Sequence, residues 1–156
     1  MFVALALHLA CLVLLAAGGI GGGFLHLVLT RLAWREPRQA VRVARIGARV
    51  GMVASSAALL MLASGVALLA ARGWDDLGQP WRSAQLAIFA LLFLNGVLVA
   101  RPNGARLGAA LLMASFARRP RPGAMVEEPL RRMGMFHALQ SAGVVTLILI
   151  GVFGPR

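Results

Sequence analysis

Four long runs of apolar residues, each nearly free of charge, dominate this chain. Phe2 to Leu29 is apolar except for His8 and His26. Val50 to Ala71 carries no charge, and its polar members are Ser55, Ser56 and Ser64. Ser83 to Ala100 contains Gln85 and Asn95. Met133 to Phe153 contains His137, Gln140, Ser141 and Thr146. A membrane-spanning helix needs about 20 predominantly apolar residues. Lipid offers no partner to backbone N–H and C=O groups, so each run must close its hydrogen bonds within itself, as a helix. The pattern predicts an all-α integral membrane protein, a four-helix bundle. It is one domain over residues 1–156, with spans near 2–29, 50–71, 83–100 and 133–153.

Composition excludes the other broad classes. With 60% hydrophobic residues, the chain is far too apolar for a disordered protein. A single cysteine, Cys11, excludes a disulfide scaffold. The formal net charge of +11 first suggests nucleic acid. The location of the arginines argues otherwise. Arg31, Arg35, Arg38, Arg42, Arg45 and Arg49 lie between spans one and two. Arg101, Arg106, Arg118, Arg119, Arg121, Arg131 and Arg132 lie between spans three and four. Only Arg72, Arg82 and Arg156 remain for the opposite side, where Asp75 and Asp76 also lie. Positive-inside bias then predicts both termini outside and two basic cytoplasmic loops. Trp34, Trp74 and Trp81 fall at span edges, as interfacial aromatics do. The charge thus reports orientation and anionic lipid headgroups, with Arg35, Arg38, Arg42, Arg118, Arg119 and Arg121 facing them. No nucleic-acid partner is expected.

The N-terminal run lacks a charged leading segment and is long for a signal peptide, so it is expected to stay as a helix. Gly104 to Ala117 is too short to span and contains Arg106. Pro102-Asn103-Gly104 breaks the chain before it. The expectation for 104–117 is an interfacial helix or a bent extension of helix three.

Polar groups inside a membrane helix are costly and mark candidate sites. On helix one, His8, Cys11, Leu15, Gly19, Gly22 and His26 form a single stripe. His8 and His26 are five turns apart, about 27 Å, so they cannot share a metal or a haem. In the inner half, His26 with His137 makes the most plausible two-histidine haem or metal site. His137, Gln140 and Ser141 share a face of helix four. In the outer half, His8 and Cys11 offer soft ligands for copper. Gly18/Gly22, Gly19/Gly23 and Gly47/Gly51 are small-xxx-small pairs, which let helix backbones approach closely in lipid.

Several chemistries lack their residues. No span carries a charged residue in its middle, which argues against an ion-coupled transporter. CxxC, HExxH, GxSxG and phosphate-loop motifs are absent, and there is no tyrosine. A non-catalytic chain is expected.

The order of features resembles a known group. Helix one opens as "LALHLACLVLLAAGGIGGGF", helix two carries "LASGVALL", and the outer loop is "GWDDLGQPW". The last helix runs "LRRMGMFHALQSAGVVTLILIGVFGPR". This is similar to the four-helix group that includes CopD-like copper-resistance domains and HemJ-type protoporphyrinogen oxidases. The resemblance implies that His8 corresponds to a first-helix histidine tied to haem binding, Trp81 to the tryptophan leading helix three, and Arg132 to the arginine before helix four. Gln85 stands where that group has a lysine, and Asn95 lies nearest to its helix-three histidine.

The function expected is an accessory or assembly subunit, packed against a larger membrane complex or a second copy of itself. The alternative is a haem b- or copper-handling protein using His8, His26 or His137. Arginine-only, Ala/Gly-rich usage suggests a GC-rich bacterial genome and hence the bacterial inner membrane.

Overall fold

In a computed structural model, residues 2–116 and 123–153 are described, apart from the side chains of Asp75 and Asp76. The described residues form four long helices and no strand. We number them α1 (Phe2–Arg35), α2 (Pro37–Arg72), α3 (Pro80–Phe116) and α4 (Ala124–Phe153). All four are long and apolar enough to cross a membrane. The all-α four-helix membrane architecture expected from the apolar runs is therefore the one observed.

Proline and glycine set the joints. Pro37 opens α2, and the residue before a proline is pushed out of helical conformation. Glu36 accordingly takes φ −141°, ψ 73° and is the whole connection between α1 and α2. Its N–H still donates to the Leu32 carbonyl at 2.7 Å, while its carbonyl accepts from the Ala40 N–H at 3.0 Å. The side-chain amide of Gln39 donates to its carboxylate. At the other end α2 stops at Gly73, whose φ of 91° favours glycine. A short 3₁₀ turn, Trp74–Gly78, then leads to Pro80 at the start of α3.

One sequence expectation changes here, and one of two alternatives is selected. The basic stretch from Arg31 to Arg49 is not a loop but helix on both sides of Glu36. Residues 104–116 extend helix three rather than forming a separate interfacial helix. Pro102 does not break the chain, because a π-helical turn, Gly96–Ala100, precedes it. A widened turn accommodates a residue that cannot donate to the ladder. The buried Asn103 side chain donates to the Val99 carbonyl at 2.7 Å, so its amide finds a partner within the helix. Arg118, Arg119 and Arg121 lie outside the described residues.

The helices outrun a bilayer. At 1.5 Å per residue, the 34, 36 and 37 residues of α1, α2 and α3 span about 51 to 55 Å, against roughly 30 Å of hydrocarbon. The excess lies at the arginine-bearing end, here called the basic end. All four helices continue there and close a core of Leu29, Ala33, Ala40, Leu107, Ala110, Leu111, Val126 and Leu130. A second core, Leu15, Phe89, Leu92, Val144 and Leu147, lies toward the opposite end, here called the loop end.

Neighbouring helices run antiparallel in tight register. Gly18 of α1 meets Ala54 of α2, and Gly19 meets Gln140 and Val144 of α4. Gly143 of α4 receives Leu92 of α3.

Candidate functional site

The three histidines divide between two sites. At the loop end, His8 of α1 faces Ser64 and Gly65 of α2. The His8 Nδ1 lies 3.0 Å from the Ser64 Oγ. That hydroxyl donates its single proton to the Met61 carbonyl at 3.1 Å. This hydrogen bond holds the ring against α2. Gly65 makes room for the ring, since a Cβ there would stand 3.4 Å from the His8 Cε1.

His8 also lines a cavity of about 440 Å³ between α1, α2, α3 and α4. Its walls are mostly apolar, with Leu12, Met61, Leu69, Phe89 and Leu147 among them. Its polar members are His8, Arg72, Arg82 and Gln85. The Arg82 guanidinium also stacks on the Trp81 ring, 4.6 Å from its centroid. Cys11 lies on the same face as His8 but is only 2% exposed and does not line the cavity. No group of three or more His, Cys, Asp or Glu side chains that could hold a metal is found among the described residues.

The second site is nearer the basic end, between α1 and α4. The His26 and His137 rings come together, with centroids 5.4 Å apart and planes tilted by 38°. Each ring rests on a glycine of the opposite helix. A Cβ on Gly22 would lie 2.9 Å from the His137 Cε1, and one on Gly134 would lie 3.1 Å from the His26 Nε2. Next to this pair, the Ser141 Oγ donates to the Gly19 carbonyl at 3.2 Å. His137 Nδ1 and Gln140 Oε1 are buried without a hydrogen-bond partner among the described residues. The histidines thus act as knobs in reciprocal glycine holes. A planar macrocycle between them would require the helix backbones to separate, so the pair as packed suits helix cohesion better than haem ligation. The Leu15, Phe89, Leu92, Val144 and Leu147 core separates the two histidine sites.

The glycines sort in the same way. Gly18, Gly19, Gly22 and Gly23 are all consumed by contacts inside the chain. Gly47 and Gly51 face open space. Arg35, Arg38 and Arg42 are exposed at the basic end.

Sequence reasoning missed Gly134, Arg72 and Arg82 as site residues. Gly134 had a signal. It stands one turn before His137, as Gly22 stands one turn before His26, and that repeated spacing marks a reciprocal notch. The arginines gave none, because their convergence on the cavity depends on how three helices meet.

A family model described as "Predicted integral membrane protein (DUF2269)" matches residues 2–155. The chain belongs to this family of integral membrane proteins. No curated protein and no solved structure matches it. The match covers every helix, so the family description applies to the bundle as a whole, including its basic end.

Proposed function

We propose that this membrane protein handles haem, which it holds in the loop-end cavity with His8 as the protein ligand. The observation that carries this reading is the His8 ring itself. Ser64 and Gly65 hold it in place, and the residue lines a largely apolar cavity. A neutral imidazole with a free nitrogen is the usual proximal ligand of haem iron. The volume falls within the range of about 300–1,000 Å³ common for small-molecule sites. Arg72 places positive charge at the cavity wall, where it would receive a carboxylate of a porphyrin. When bound, haem would supply one-electron chemistry. The chain's own residues orient the ligand and exclude water. The CopD- and HemJ-like resemblance points the same way, and copper at His8 and Cys11 would need a further donor. Membership in the bacterial inner membrane, with the basic end in the cytoplasm, belongs to the same proposal.

The test is the absorption spectrum of the full chain, purified in mild detergent from haem-replete cells. A Soret band is expected, lost in His8→Ala and weakened in Ser64→Ala. A colourless protein that stays colourless on haem titration would reject the reading. Orientation is tested separately. A membrane-impermeant thiol reagent should label Gly78→Cys in intact cells and Arg38→Cys only after lysis. Both positions are exposed, while Cys11 is buried. The reverse pattern would invert the topology.

A second reading, an accessory subunit of a larger complex, is favoured by a different observation. Gly47 and Gly51 of α2 have no neighbour within 4 Å, and Ile46 and Met52 beside them are exposed. That face could seat another helix. Mild-detergent purification followed by mass spectrometry would test it; a monomer without a co-purifying membrane protein would count against it.

A further inference from the structure

A groove on the outside of the α1–α2 pair is lined by Leu14, Ala17, Gly18, Gly21, Phe24, Leu25, Val50 and Val53, with Arg49 as its one charged member. We infer that this groove binds an anionic phospholipid, with one acyl chain between α1 and α2 and the phosphate on Arg49. The groove shares no lining residue with the loop-end cavity.

The groove lies on the membrane-facing surface. Leu14, Phe24 and Val53 are all exposed, and the two helices close on each other at its side where Gly18 touches Ala54. Gly21 opens it, because nothing lies within 4 Å of where its Cβ would be. In a bilayer such a surface meets lipid tails or another helix. Arg49 decides between them. It sits at the basic end of the groove, and Arg45 follows one turn further out on the same face. Neither makes a hydrogen bond or an ion pair among the described residues. Among the described residues, the salt bridge at this end, Arg132 with Glu128, lies within α4. A guanidinium at the headgroup level, above an apolar slot and without a protein carboxylate, is complementary to a phosphodiester. A second helix would satisfy the apolar walls but leave this charge uncompensated.

Native mass spectrometry of the full chain in detergent tests the inference, with dioleoyl phosphatidylglycerol and dioleoyl phosphatidylcholine as probes. The wild type should retain the anionic lipid about tenfold more strongly, the loss expected from one charge-assisted contact. Arg49→Gln should remove most of that preference, while Arg38→Gln should leave it. Gly21→Leu should weaken retention of both lipids, since it fills the slot without a clash. Circular dichroism confirms that each variant remains helical. Equal retention by wild type, Arg49→Gln and Gly21→Leu would overturn the inference. So would competition by inorganic phosphate alone, which would reduce the site to an ion contact. A wild-type dimer that Gly21→Leu makes monomeric, with lipid retention unchanged, would assign the groove to a second copy instead.

Discussion

Gly18→Ala should destabilise the bundle by about 2 kcal/mol, within the range for overpacking a tight contact, whereas Gly21→Ala should stabilise it slightly. The two glycines are three residues apart on one helix, yet their surroundings are opposite. A Cβ on Gly18 would lie 2.5 Å from the Ala54 Cβ, and nothing lies within 4 Å of one on Gly21. The obstructing atom at Gly18 is a Cβ fixed to the α2 backbone, so no rotamer change can relieve it. The helices must move apart, and the dispersion contacts along their seam weaken together. At Gly21, alanine gains helix propensity of up to about 1 kcal/mol and meets no neighbour. Ala54→Gly should rescue Gly18→Ala, since it removes the atom that blocks. Detergent-titration unfolding in mixed micelles would measure all three. Equal effects at Gly18 and Gly21, or no rescue, would show that α1 and α2 do not pack in this register.

The second large effect concerns His26 and His137. Gly22→Ala places a Cβ 2.9 Å from the His137 Cε1 and should cost about 1–3 kcal/mol as the ring is displaced. His137→Ala should also destabilise, through the void it leaves. Combined, the two should cost clearly less than their sum, with a coupling of about 1 kcal/mol or more, because the second change removes the ring that the first one hits. The same variants separate packing from ligation. If His8 is the haem ligand, His137→Ala leaves the absorption spectrum intact while lowering stability. A spectrum bleached by His137→Ala, with little change in stability, would instead make the His26–His137 pair the ligand site.

Legibility differed between residues for physical reasons. The four spans were evident because lipid tolerates only runs of self-bonded apolar backbone, and nothing else in the chain could supply them. Helix ends were less evident. Arg31 to Arg49 looked like a loop because arginines are excluded from hydrocarbon, yet a helix can leave the membrane without stopping. Pro102 looked like a break because its ring opposes a normal α-turn, but the π-turn at Gly96–Ala100 gives it space. His8 and Ser64 could each be placed toward the same end of the bundle by counting turns. Their 3.0 Å pairing could not, since it depends on the rotation of α1 against α2.

By itself, then, the sequence determined the fold class, the number of crossings and the face on which each polar residue lies. Helical periodicity and the bilayer's intolerance of unpaired backbone leave no other solution. The tertiary structure decided which faces meet. It spent Gly18, Gly19, Gly22 and Gly23 inside the chain, joined His26 to His137, and drew Arg72, Arg82 and Gln85 around His8. Those outcomes come from shape. Where glycine removes a side chain, another helix or a ring can enter, and which one enters is set by three-dimensional register rather than by spacing along the chain.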